Sequence, residues 1–148
     1  MTEEEFTNFF EMNLESYARA IAKNFKRPVD EVKVESKEQV NSLLKDGVKT
    51  KGHFLFTVLD KKHSSVVGNV WVSVDEKKKR AFLYDIDLYE RFRGKGYGRA
   101  SLELLEEILR SKGIKRLELH VFADNPTAIG LYKKLGYETA SYNMRKDL

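Results

Sequence analysis

The segment Arg91-Phe92-Arg93-Gly94-Lys95-Gly96-Tyr97-Gly98-Arg99 places three glycines at alternate positions among four cations. An apolar, strand-like run, Ala81–Leu88, precedes it. A helical run follows from Gly98 to about Ser111, with Leu102, Leu105 and Leu109 on one stripe and Leu104 and Ile108 beside it. The order is therefore strand, glycine-rich turn, helix. Glycine frees backbone N–H groups at a helix start to form a concave donor site for phosphate oxygens. Helix N-termini normally carry an acid or a hydroxyl cap. This one has neither, and Arg99 opposes the helix dipole, so the missing negative charge is assigned to a bound diphosphate.

The spacing excludes two familiar cradles. Counted from Gly94, the sixth position is Arg99, where a dinucleotide fingerprint needs glycine. A P-loop needs Gly-Lys-Ser/Thr, which Gly96-Tyr97-Gly98 does not supply. The remaining pattern, Arg93-x-x-Gly96-x-Gly98, resembles the coenzyme A pyrophosphate loop of the GNAT superfamily, the acetyl-CoA-dependent N-acyltransferases. A second segment, running from His120 through Asn125-Pro126 and Tyr132 to Leu135-Gly136-Tyr137, resembles the other half of that signature. Local physics agrees: Asn125 is a good N-cap, Pro126 suits the first helical position, and Gly136 suits the stop. The resemblance covers roughly residues 80–142.

Outward from this core, Phe6, Phe9, Phe10, Leu14, Tyr17, Ile21 and Phe25 recur at helical spacing, and Thr2 with Glu5 forms a capping box. The aromatic density of that first helix reads as core packing rather than a partner surface. Pro28 ends it, and a second helix spans about Val29–Lys45. His53–Asp60, Val66–Val74 and Ala81–Leu88 read as strands, the last two joined by the solvated turn Lys77-Lys78-Lys79-Arg80 and hence antiparallel. The helix after Gly98 requires a crossover, so Lys115–Phe122 is a strand parallel to Ala81–Leu88. Tyr137–Lys146 is expected to return as a final strand. The fold class is α/β, over residues 1–148 as one domain. As in GNAT proteins, a mixed, mostly antiparallel sheet holds a parallel strand–helix–strand core and is flanked by helices on both faces. GNAT chains commonly open with a strand. Here a helix begins almost at Met1, so that strand is absent or very short.

Composition narrows the chemistry. The 148 residues include no cysteine, so a disulfide framework, a thiolate nucleophile and a Cys-based metal site are excluded. His53, His63 and His120 are scattered, and no metal is assigned. The acidic start Met-Thr-Glu-Glu-Glu-Phe lacks the layout of a signal peptide, and no apolar run approaches the roughly 18 residues of a membrane span. The expectation is a cytoplasmic chain that does not engage membrane. A net charge of +4, with basic residues mixed among 23 acids, gives no clustered stripe for nucleic acid.

Strand alternation offers a clue independent of the resemblance. In Ala81–Leu88, Phe82, Tyr84, Ile86 and Leu88 fall on one face and Asp85 and Asp87 on the other. In Lys115–Phe122, Glu118 and His120 share a face. Ionisable pairs are unusual in central parallel strands. Either Asp85, Asp87, Glu118 and His120 line one pocket, or a bulge or short strand exposes them to water. The pocket would suit acetyl transfer, because an ammonium must lose a proton before it attacks a thioester. Histidine titrates nearest neutrality, so His120 is the candidate base, with Asp87 or Asp85 as alternates or as anchors for a cationic amine.

The resemblance implies further roles. Tyr132 would protonate or hold the departing thiolate. Asn125 and the backbone of Ile86, Asp87 and Leu88 would bind the pantetheine arm. Arg93, Gly94, Lys95, Gly96, Tyr97, Gly98 and Arg99 would take the pyrophosphate. The expected activity is transfer of acetyl from acetyl-CoA to a primary amine, on a small molecule or a protein, in a ternary complex. The alternative is a catalytically silent acyl-CoA-binding sensor or partner module. The resemblance also allows a homodimer.

Overall fold

The computed structural model describes residues 1–148. In chain order the elements are α1 (Glu3–Phe25), α2 (Val29–Leu43), β1 (His53–Asp60), β2 (Ser65–Asp75), β3 (Arg80–Leu88), α3 (Tyr97–Ser111), β4 (Arg116–Leu119) and α4 (Pro126–Lys134). No strand precedes α1. The Thr2 side chain accepts from Glu5 N at 3.1 Å and Glu5 Oε2 accepts from Thr2 N at 2.7 Å, which closes the capping box. α1 ends at Lys26, in the left-handed region at φ 51°, two residues before Pro28.

The sheet order is β1-β2-β3-β4. The first three strands are antiparallel, and β3 pairs with β4 in parallel across the α3 crossover. One face buries Leu102, Leu105 and Leu109 of α3 against Val70, Val72, Ala81 and Leu83. The other buries Phe9, Val40 and Leu44 of α1 and α2 against Leu55 and Trp71. The mixed sheet between helical layers matches the fold class expected from sequence.

Three local expectations need correction. The period-two reading of β3 fails because Trp71 pairs with Asp85 while Val72 pairs with Leu83, leaving Tyr84 as an extra residue. Such a bulge puts two successive side chains on one face and bends the strand. Ala81, Leu83 and Ile86 therefore face α3, whereas Tyr84, Asp85 and Asp87 face α1. The fourth strand is shorter than expected. Its last pair is Leu83↔Leu119, immediately before the bulge that turns β3 aside. The final strand over Tyr137–Lys146 does not form, and residues 137–148 have no regular structure. That stretch has no continuous apolar face: Tyr142 and Met144 are exposed between Asn143, Arg145 and Lys146.

Candidate active site

The turn between β3 and α3 leaves a row of backbone amides free beside open space. Gly94 and Gly96 sit at φ 69° and 85°, where a side chain is strained. Gly96 caps α3 without a side-chain bond, and the first turn holds no acid. None of the backbone amides from Gly94 to Arg99 donates to another group of the chain. A Cβ on Gly94 or Gly96 would meet nothing within 4 Å, so the space above the amides is open. At Gly98 it would lie 3.4 Å from Leu131 and 3.5 Å from Leu88, so the missing side chain lets α3 start close to α4 and β3.

The cations of this turn are less free than their spacing implied. Arg93 donates through Nε to Leu88 O at 2.8 Å and through Nη2 to Asp87 Oδ1 at 3.1 Å. Arg99 pairs along the helix with Glu103 at 2.8 Å. Lys95 makes no ion pair. Tyr97 does something the sequence did not reveal. Its hydroxyl donates to Asp60 Oδ2 at 2.6 Å, and His63 Nδ1 lies 2.6 Å from the same oxygen. These bonds, Tyr97 first, hold the Asp60 carboxyl well below the usual carboxylate range. They tie the β1–β2 turn to the first turn of α3.

Beside this turn the sheet splays. β4 ends at Leu119, so no strand pairs with β3 on that side beyond Leu83. The outer backbone edge of Ile86–Leu88 is left open to an extended ligand, which can add to it as a strand would.

On the α1 side of β3 lies a small cleft of about 70 Å³, open to solvent on one side. It is lined by Phe9, Met12, Asn13 and Ser16 of α1, Asn69 of β2, and Asp85 and Asp87 of β3. Asp85 Oδ2 is wholly enclosed and has no hydrogen-bond partner. Burial, reinforced by the Asp87 charge and opposed by Asn13, pushes the Asp85 carboxyl up to about 7. Asp87 is more open and carries the Arg93 ion pair.

Of the ionisable groups expected in one pocket, the structure brings together Asp85 and Asp87 only. Glu118 and His120 are exposed, His120 lies past the end of β4, and its ring sits edge-on to Phe122 at 5.0 Å. Asn13, Ser16 and Asn69 escaped the sequence reading. Asn69, polar within the apolar run Val66–Val74, was the available signal.

Asn125 caps α4 as expected, accepting from Ala128 N at 3.2 Å. Tyr137 N returns to Tyr132 O at 3.0 Å around Gly136, at φ 90°, which stops the helix. Tyr132 packs against the α3-side core, and its phenol is raised by burial and by the nearby Asp85 charge. Asp85 and Tyr132 thus flank the open edge of β3 from its two faces.

Residues 14–137 match the family model described as the acetyltransferase (GNAT) family. This chain belongs to the GNAT family. Among similar proteins of Bacillus subtilis, the uncharacterised N-acetyltransferase YdgE is 35% identical over all of this chain and 95% of its own length. The uncharacterised N-acetyltransferase YycN is also 35% identical, over all of this chain and 96% of its own. The crystal structure of YycN superposes on the GNAT protein described here with a TM-score of 0.94, covering all of this chain and 95% of that one. The ribosomal-protein-S18-alanine N-acetyltransferase of Escherichia coli aligns over 71% of this chain and 62% of its own, with a TM-score of 0.59 and 26% identity. The GNAT match begins at Leu14, so Phe9, Met12 and Asn13 on the α1 wall of the cleft lie outside it.

Proposed function

We propose that this GNAT protein transfers the acetyl group of acetyl-CoA to a primary amine by direct attack within a ternary complex. The observation that carries the reading is the pairing of two features at one end of β3. A row of unengaged amides runs from Gly94 to Arg99, and an enclosed carboxylate, Asp85, lies across the strand. The residues present fit the cofactor: left-handed glycines open the cradle for its diphosphate, and the free edge of Ile86–Leu88 suits its amide-bearing arm.

Bound acetyl-CoA would supply a thioester whose carbonyl carbon accepts the amine nitrogen as the carbon–sulfur bond breaks. Asp85 takes the ammonium proton. A base poised near neutrality is ionised often enough to act and basic enough to accept. Asp87, more exposed and paired with Arg93, faces the same cleft, and its charge helps keep Asp85 basic. Tyr132 keeps its proton across the working pH range and gives it to the leaving thiolate. With no cysteine in the chain, an acyl-thioester intermediate on the protein has no nucleophile.

The test is release of free thiol from acetyl-CoA in the presence of a panel of primary amines, with the acetylated product identified by mass. Amine-dependent release, suppressed in Asp85→Asn, is the expected result. Acetyl-CoA binding without turnover on any amine would instead identify a silent acyl-CoA-binding module.

A further inference from the structure

The cleft contains hydrogen-bonding groups that the transfer chemistry does not use. Asn69 is 7% exposed in a central strand, between Val67 and Val70–Trp71, all buried. Its side-chain amide makes no hydrogen bond within the chain, yet it lines the cleft. The amide is thus uncommitted at the wall of the cleft, available to a ligand. The register sets it in a polar row across the sheet, Thr57↔Asn69↔Asp87, and Thr57 Oγ1 is buried without a partner. From α1, Asn13 and Ser16 face the same space. Ser16 makes no side-chain hydrogen bond within the chain, and Asn13 lies close enough to Asp85 to lower its carboxyl pKa.

Charge is scarcer in the cleft than its two aspartates imply. Asp87 is already engaged by Arg93, which leaves Asp85 as the free carboxyl. A polycation would bring several charges to a site with one uncommitted partner. The apolar lining is limited to Phe9 and Met12, too little to hold a long alkyl chain. At about 70 Å³ the cleft is far smaller than the roughly 300–1,000 Å³ of drug-sized sites, which favours a small acceptor.

We propose that the acceptor is a short primary amine bearing hydroxyl groups on carbons near the amine carbon, an amino alcohol or amino sugar. Asn69, Asn13 and Ser16 read those hydroxyls. Asp85 and Asn69 are diagonal neighbours across the β2–β3 pair, a relation that spans about 7–8 Å between Cα atoms. One small molecule can therefore present its amine to the first and a hydroxyl to the second. A site built to bond a hydroxyl discriminates against the analogue lacking it, because its buried polar groups are then left unpaired. The inference rests on the transfer reading above.

The experiment compares steady-state acetylation of matched amines: 2-aminoethanol with ethylamine, and glucosamine with cyclohexylamine, alongside spermidine and a short peptide with a free N-terminus. The hydroxylated member of each pair is expected to have kcat/KM higher by about tenfold or more. Asn69→Leu should bring the ratio close to one. Because Asn69 sits in a central strand, Ser16→Ala on the helix side is the second variant, and it should narrow the ratio several-fold. Equal rates within pairs, or faster reaction of spermidine or the peptide, would overturn the assignment while leaving acetyl transfer intact. If no amine is acetylated, the transfer reading falls. Calorimetric titration of the CoA-saturated protein with the same pairs then decides the recognition claim: tighter binding of the hydroxylated member keeps it, and indistinguishable binding ends it.

Discussion

Tyr84 stacks on Trp71 with ring centroids 4.5 Å apart and planes 16° from parallel, and it is the residue that β3 carries in excess of β2. Two features of the site follow from this one bulge. It turns Asp85 and Asp87 towards α1, and it bends β3 just after its last pair with β4, opening the sheet edge beside the cradle. Tyr84→Ala removes the stack. The expected loss is about 1–2 kcal/mol of stability by urea denaturation, from ring stacking and partial apolar burial. An unchanged unfolding midpoint would show that the bulge is held without it.

Asp85 links pH, rate and stability. Its folded pKa stands near 7, above the ordinary 3.8, because burial disfavours the charged form. As the base it must be ionised, so kcat/KM should rise with pH through about 7 and level off above. Asp85→Asn should lower kcat by about 10²–10⁴-fold and flatten that rise. The stability effect runs the other way. A raised carboxyl pKa means the wild type is relatively most stable below the unfolded value and loses that stability as pH climbs towards 7. Asp85→Asn should therefore unfold at a higher temperature than the wild type at pH 8, with the difference closing near pH 4. A less stable variant at pH 8 would contradict the burial of an unpaired charge.

Gly68 is fixed by close approach rather than by dihedral angle. A Cβ there would stand 2.2 Å from Asp87 O and 3.0 Å from Leu88 Cα, both backbone atoms of the neighbouring strand. Gly68→Ala must push the end of β3 outward, at a cost of about 1–3 kcal/mol. Both the cleft proposed for the acceptor and the strand edge proposed for the cofactor ride on that segment. Denaturation and KM values for both substrates should therefore worsen together, and a variant with normal stability and normal KM would show that β3 yields freely.

Tyr132→Phe keeps the packing of α4 and removes one hydroxyl. Turnover should fall by about 10²-fold or more while the acetyl-CoA dissociation constant stays within about twofold. Wild-type turnover would reduce Tyr132 to a packing residue.

Much of this arrangement is legible in the chain because it is written in local chemistry. Thr2 with Glu5, Asn125 with Pro126, and Gly136 mark helix ends whose geometry the structure reproduces. The glycine spacing marks a turn whose backbone amides are left unengaged. What stayed hidden depends on partners distant in sequence. A bulge at Tyr84 is set by its fit to Trp71, so strict alternation put the aspartates opposite Tyr84 when they share its face. The partners of Arg93 and Arg99 were not evident from their spacing around the glycines. Asp60 meets Tyr97 across 37 positions, which no periodicity signals. His120 looked like a pocket residue only while its strand was taken to run to Phe122. The strand stops at Leu119, and the ring is exposed.

The most direct test of the account is calorimetric titration with acetyl-CoA of the wild type and of Gly94→Ala/Gly96→Ala. Both substitutions add methyl groups over the amides and strain left-handed backbone, without meeting other parts of the protein. Saturable 1:1 binding in the wild type, weakened about tenfold or more in a variant that still folds, is the predicted result. No binding by the folded wild type, or equal affinity in the variant, would contradict the assignment of this turn as the cofactor cradle.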